Sequence, residues 1–489
     1  MTIPYAPPGI SVPLTSDQID RRAMWVLFAG ALLVYTYFFG GQGYNQNAQF
    51  DAIRAVVERG TFEITAYADP GGPLMFTGDV YRVNDRIFSN KPPGMALIGA
   101  PVYAVLAGVE RALGIDLNDL RAVRFNAYVL TVLLSGLPGA WVVALLYRHL
   151  RENAFDPAVS ALAAAGFAFG SLLFPYASVL MSHNLLAACL FAAWVWISRP
   201  TVSAGRAALA GLLVGFGILT FLPVAPIAAL FAGYLIWGRL TRATVAFCAC
   251  PALAVVVILA YNAHYYGSPF ETGARVGGEQ YFEPHLFLGY FDIPDPRRLL
   301  WITVHRYRGL LYCCPVFALS LLALIKPNRA WLRRNVVPAL IVALFILFYT
   351  SFNGWAGGFS VGPRYAIPAL PFLFLFAVPA IARFRTIALL LIALSTLNML
   401  AVTAYNVMHP GVSVGGPLAG DDPVAECYKR LTMNWVARNS ESFNLGMLLG
   451  LRGVLSALPA ILLVAAVYLV LHRVTSSSSQ LRREGLTVP

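Results

Sequence analysis

Charge is what this chain has least of. Asp, Glu, Lys and Arg together make up 12% of its 489 residues, about half of the ~25% usual in soluble globular domains. Apolar side chains reach 58%, which excludes a water-soluble enzyme of several domains as well as a disordered or collagen-like chain. Cysteine is scarce too. The six, at 189, 248, 250, 313, 314 and 427, are too few for a disulfide scaffold. All but Cys427 lie in apolar stretches without the Cys-x-x-Cys spacing and nearby histidine of a zinc site, so they read as small core residues. Acidic residues are the scarcer sign, since 35 Lys+Arg against 23 Asp+Glu leaves +12. In a chain this apolar the excess belongs in cytoplasmic loops, and no nucleic-acid partner is expected. The first 23 residues are polar, contain proline and run into a full-length apolar stretch, so no cleavable signal peptide is expected either.

What is there is a series of apolar runs, each near the ~20 residues a membrane span needs. They cover 24–40, 123–147, 157–174, 179–197, 243–262, 309–325, 335–351, 364–381, 386–406 and 447–471, with two irregular cases. The stretch 93–110 is interrupted by Gly99 and Pro101 and ends at Glu110-Arg111. The run 208–237 carries Pro223 and Pro226 in its middle. If 208–237 is a pair of short helices and 93–110 stays on the outer side, the basic residues fall on one face. Arg21, Arg22, Arg148, Arg151, Arg199, Arg206, Arg239 and Arg242 are then cytoplasmic, as are the clusters at 326–334, 383–385 and 473–483. The opposite choice also gives twelve spans but moves Arg148, Arg151, Arg199 and Arg206 outside. The expected fold is all-α and polytopic, with about twelve transmembrane helices (11–13) and surface helices at the outer face. A single membrane domain, 1–472, precedes a basic cytoplasmic tail, 473–489.

The polar residues gather in outer segments 41–92, 263–308, 352–364 and 407–446. Transporters place ionisable groups in broken helices near the midplane, and these spans hold almost no charge. Binding or chemistry at the outer surface is the better fit. In the first segment Asn45-Gln46-Asn47 opens an amphipathic stretch, Ala48 to Arg59, closed by Gly60 in a C-cap position. Phe50, Ile53 and Val57 share one side, which suggests a helix lying on the membrane surface. Asp51 is then either a solvated partner of Arg54 or a general base. Thr77-Gly78-Asp79 follows, with Arg82, Asp85, Arg86 and Ser89-Asn90-Lys91-Pro92-Pro93-Gly94. A lysine just before a proline-started helix makes a phosphate site from an ammonium and a helix N-terminus; the plainer role for Lys91 is snorkelling to headgroups. Asp79 is a turn residue or a second candidate base.

Four glycines and a proline fall within Phe352–Tyr365, beside Trp355 and Phe359, whose rings suit a sugar face. Arg364 opens a span, where the helix dipole disfavours a cation, so an anion is expected nearby, either a lipid headgroup or a bound phosphate. Arg306 and Arg308 stand at another outer mouth and also suit phosphate. Glu279, Glu283 and His285 match no metal-site spacing, and no metal or cofactor is expected. Tyr176 and His183 begin a span as substrate contacts or as polar packing groups.

This order of a first span, an outer loop with helix and acid, Lys91-Pro92-Pro93, many spans and a second set of outer loops resembles the GT-C glycosyltransferases. It is most similar to the group of protein O-mannosyltransferases and lipid A aminoarabinose transferases. The likeness extends over roughly 24–472. The resemblance implies a polyprenyl-phosphate sugar donor, a first-loop carboxylate as base, and basic residues on the lipid phosphate. Lys91 matches the lysine before Pro-Pro. Where those relatives place an Asp-Glu pair ahead of the loop helix this chain has Gln46-Asn47, so the base is Asp51 or Asp79. Donor binding then falls to Lys91, Arg308, Arg364 and Arg86, and substrate contacts to Asn45, Tyr176, His183, Trp355 and Tyr365.

The reading is a membrane glycosyltransferase that moves a sugar from a polyprenyl monophosphate to a glycan, lipid or protein acceptor. It would act with inversion at the extracytoplasmic face of a bacterial inner membrane. A lipid or glycolipid transporter, and a polysaccharide polymerase or ligase with a pyrophosphate-linked donor, are the alternatives.

Overall fold

The computed structural model describes residues 15–41, 43–68, 76–271, 287, 289–325, 329–408, 417–418, 420–437 and 442–483. Glu279, Glu283 and His285 lie outside them. The described chain is all-α apart from two short two-stranded pieces. Gly94–Ala112, Leu120–Glu152, Thr241–Tyr266, Arg385–Tyr405 and Gly453–Ser476 are long and apolar enough to cross a membrane. Shorter apolar helices stand among them, Pro157–Gly170, His183–Ile197, Ala204–Thr220, Leu222–Trp237 and Val336–Ser351. The run 208–237 is a pair of helices hinged at the Leu222–Val224 turn, where Pro223 sits. The expected spans at 309–325 and 364–381 are broken into short helical pieces instead.

Helix starts follow local chemistry. Thr15 and Gln18 form a capping box for Ser16–Tyr37, and Asp119, Asp156, Ser203 and Asp295 cap the helices that follow them. Small residues set the packing inside the bundle. A Cβ at Gly211 or Gly215 would lie 2.1 and 2.8 Å from the carbonyl oxygens of Phe247 and Cys250, so Ala204–Thr220 rests on the backbone of Thr241–Tyr266. Buried polar side chains find carbonyls in neighbouring segments, as when Tyr35 Oη donates to Ala168 O at 2.7 Å and Asn184 Nδ2 to Leu173 O at 2.9 Å.

Ion pairs settle which helix ends lie together. Arg151 reaches Asp20 at 2.7 Å, Tyr147 Oη donates to the same carboxylate, and both Arg148 and Arg199 bind Glu152. The start of the first helix and the 148–152 and 199 segments therefore share one end, as they must if 93–110 does not cross. Gly94–Ala112 packs accordingly at the opposite, loop-bearing end, with Gly94 against Thr220, Gly99 against Ile53 and Leu134, and Glu110 accepting from Asn126.

The loop helix Tyr44–Arg59 ends at Gly60 (φ 65°), as expected, but it is no surface helix. Every residue from Gln46 to Ala55 is buried, the polar ones included. Residues 61–68, 76–89 and the helix Gly94–Ala112 enclose it. Arg54 pairs with Glu58 at 2.9 Å and with Asn118, while Glu58 also accepts from Tyr67 and Tyr103. This network pins the loop helix to the segment that carries Lys91.

Candidate functional site

A hairpin builds the centre of the site. Strands Val80–Val83 and Arg86–Ser89 pair antiparallel around a turn in which Asn84 is left-handed (φ 52°). Tyr81 and Phe88 face each other across it and pack on Tyr266, with ring centroids 4.3 and 6.0 Å away, which fixes the register. Asp79 and Lys91 flank the two strands and are thereby brought together. The Asn90 N–H donates to Asp79 O at 3.1 Å, and Lys91 Nζ lies 2.7 Å from Asp79 Oδ2. Thr77 Oγ1 donates to Tyr44 O and accepts from the Asp79 N–H, tying this corner to the loop helix. Burial alone would raise the Asp79 carboxyl, but the Lys91 ammonium and the Arg364 guanidinium outweigh it and hold it below the usual carboxylate range. Asp79 is therefore ionised at neutral pH, and its side chain keeps 29% of its surface exposed.

On its other side Lys91 lines a narrow, shallow cleft. Pro92, Pro93, Met95 and Ala96 form one wall, at the N-terminus of Gly94–Ala112. Gln49, Phe62 and Tyr261 form the other. An ammonium and a helix N-terminus thus meet at the edge of a mostly apolar cleft, a combination that attracts an anion.

Arg364 approaches from the glycine-rich loop. Gly357 is left-handed (φ 70°), and a Cβ there would stand 3.1 Å from Arg364 Nε, so only glycine leaves the guanidinium its place. The Arg364 side chain is buried, its Nη2 donates to Tyr365 Oη at 3.3 Å, and its Nε has no partner. Among the described residues no carboxylate forms an ion pair with it. Asp79 is near enough to act on it electrostatically but does not pair with it, so the buried guanidinium keeps capacity for an anion. Aromatic rings surround it. Tyr365 stacks on Phe221 and meets the edge of His183, His183 meets Tyr176, and Tyr176 Oη donates to Val361 O at 3.0 Å.

The structure thus gathers Asp79, Lys91, Arg364, His183, Tyr176 and Tyr365 at the loop-bearing end. Other expected residues stand elsewhere. Arg86 sits at the turn end of the hairpin, three residues or about 10 Å from Ser89, exposed and paired with Glu63 at 2.8 Å. Arg308 is buried beneath the site, its guanidinium donating to Ala356 O, Gly358 O and Ser360 O, so it shapes the glycine-rich loop from below. Trp355 is 5% exposed and stacked on Trp301, a wall rather than an open face. Asn45 accepts from Gln49 Nε2 within the loop helix. Asp51 is neither solvated nor paired with Arg54, whose partner is Glu58. It is fully buried, both oxygens lack partners, and burial, partly offset by Arg54, pushes its carboxyl well above the usual range.

Tyr261, Phe221 and Tyr349 lie in apolar runs and escape a reading of the outer loops alone, Tyr349 adjoining the site by accepting from the Tyr365 N–H at 2.7 Å, and Phe62, though within 41–92, stands in no motif. The cluster Tyr261, Tyr265 and Tyr266 at the end of an apolar run is the signal that points to Tyr261. Gln46, Gln49 and Asn90 are further surprises, each with a buried side-chain atom lacking any hydrogen-bond partner.

No family model matches this chain, and no curated protein does. Two solved structures of ArnT from Cupriavidus metallidurans do, one in the apo state and one bound to undecaprenyl phosphate. Each is 14% identical, with 94% of this chain and 75% of that chain covered and a TM-score of 0.48.

Proposed function

We propose that the chain is a membrane glycosyltransferase that takes a sugar from a polyprenyl monophosphate and passes it to a hydroxyl-bearing acceptor. The observation that carries this reading is the pair of cations beside the ionised Asp79, namely Lys91 and the buried Arg364, whose Nε has no partner among the described residues. At rest Asp79 neutralises Lys91. When the lipid phosphate binds, Lys91 turns to it, and Asp79 loses the partner that suppresses its basicity. Asp79 then accepts the proton of the acceptor hydroxyl as that oxygen attacks the anomeric carbon. The bond from that carbon to the phosphate oxygen breaks, and Lys91 and Arg364 stabilise the charge left on the phosphate. A single displacement of this kind inverts the anomeric centre. The arginines at the opposite end of the bundle support a location in a bacterial inner membrane, with the site on the extracytoplasmic side.

The test is incubation of the protein in nanodiscs with radiolabelled polyprenyl-monophosphate sugars and a membrane lipid extract. Label should move to an acceptor or to water, and Lys91→Ala should abolish this while the protein remains folded. Transbilayer movement of a fluorescent glycolipid without any such product would make the chain a transporter instead. Turnover only with pyrophosphate-linked donors would make it a polymerase or ligase.

A further inference from the structure

Gly94–Ala112 has two unlike sides. Ala96, Gly99, Tyr103, Ala107 and Glu110, three or four residues apart, are buried, while Leu97, Val105, Val109 and Leu113 stand exposed in a row of fours on the other side. An apolar row turned outward suits the acyl region of a bilayer. Three arginines gather where this helix ends and the next begins. Asn126 Nδ2 donates to Glu110 Oε2 at 3.0 Å, so Arg111 and Arg124 flank one contact between the helices, and Arg121 stands one turn before Arg124 on the same face. All three are exposed, and among the described residues none forms an ion pair or a side-chain hydrogen bond. The acids nearby are turned to other groups. Glu110 is buried against Asn126, Asp119 accepts from the Arg121 and Ala122 N–H groups, and Asp116 accepts from the Asn118 N–H. Arg121 and Arg124 also stand in the first turns of their helix, where its dipole disfavours a cation.

We infer that residues 111–125 form a docking surface for the anionic phospholipid headgroups of the outer leaflet. Leu120–Glu152 is 33 residues long, about 50 Å at ~1.5 Å per residue, against a hydrocarbon core of ~30 Å. Centred on that core it projects about 10 Å at each end. Arg148 and Arg151 then lie among the inner headgroups, and Arg121 and Arg124 among the outer ones. Basic residues at an outer helix mouth run against the usual charge bias, and phosphates at that level match them. Leu113 and Phe125, exposed beside these arginines, carry the apolar surface up to the same level. A soluble acidic partner would satisfy the arginines but leave the row from Leu97 to Leu113 uncovered, whereas a bilayer meets both. The surface does not depend on the transferase reading.

The test is photolabelling of the full chain in nanodiscs of phosphatidylcholine and phosphatidylglycerol, with a trace of one or the other lipid carrying a photoreactive headgroup. Labelled residues are mapped by mass spectrometry. We expect the phosphatidylglycerol probe to label 111–125 more than the phosphatidylcholine probe does. That preference should fall about fivefold for each arginine removed, in Arg124→Gln and then in Arg121→Gln/Arg124→Gln. Arg121→Lys/Arg124→Lys should keep most of it. Labelling near Arg148 should be the same in every variant, and the melting temperature should hold, since the substituted side chains have no partners among the described residues. Excess phosphatidylglycerol should compete and inorganic phosphate should not. Equal labelling of 111–125 by the two probes, or a preference that survives in Arg121→Gln/Arg124→Gln, overturns the inference. Competition by inorganic phosphate would overturn it too, by making the patch a site for a free anion.

Discussion

Asp51 allows a sharp test because its surroundings leave little freedom. Its carboxyl is fully buried, both oxygens lack partners, and the nearby Arg54 is engaged by Glu58. Burial raises its pKa well above the usual carboxylate value, with Arg54 pulling it down and Glu58 pushing it up. Below pH ~4 both folded and unfolded chains carry the proton, and the carboxyl adds no pH dependence. Above that, the unfolded chain releases its proton while the folded one keeps it. Stability therefore falls as pH rises, by about 1.4 kcal/mol per unit, until the folded-state pKa is passed. Asp51→Leu removes that slope together with the orphaned oxygens, whose burial costs about 1–3 kcal/mol. The variant should be more stable than the parent at pH 8 and closer to it at pH 5, as read by melting in nanodiscs followed through tryptophan fluorescence. Asp51→Asn should keep turnover. Identical pH dependence in the parent and Asp51→Leu would show an ionised, hydrated Asp51 and refute the burial reasoning. Loss of turnover in a stable Asp51→Asn would return the base to this position.

Arg86→Ala should leave donor affinity unchanged and alter stability by about 0–1 kcal/mol, because its pair with Glu63 is exposed; a loss of undecaprenyl phosphate binding would place Arg86 in the site after all. Gly357→Ala should weaken that binding, since a side chain at φ 70° costs about 1–2 kcal/mol and crowds Arg364 Nε at 3.1 Å. Arg308→Lys loses the fork that holds three loop carbonyls, so hydrogen exchange of amides 356–361 should accelerate while lipid phosphate still binds. Unchanged exchange would show that Arg308 does not order the loop.

The membrane class and the order of the spans were legible in the sequence because apolar runs and proline positions are local signals. Charge bias correctly paired Arg21 and Arg22 with Arg148 and Arg151, and the Asp20–Arg151 contact is the physical form of that pairing. Lys91 and Asp79 were legible as candidates, but their contact was not. It depends on the hairpin register set by Tyr81, Phe88 and Tyr266, which no local pattern encodes. Helical periodicity misled at Tyr44–Arg59. One apolar face suggested a membrane-surface helix, whereas the 61–68 and 76–89 segments fold over the polar face and bury it. Arg308 and Arg364 look alike in sequence, each a cation at the mouth of a span. Only the tertiary fold shows one filled with carbonyls and the other without an acid partner.

The central claim is tested most directly by single-turnover transfer from a radiolabelled polyprenyl-monophosphate sugar, comparing the parent with Asp79→Asn and Asp51→Asn in nanodiscs. The account predicts that Asp79→Asn binds the donor yet transfers nothing, while Asp51→Asn transfers as the parent does. Transfer that survives in Asp79→Asn would contradict it.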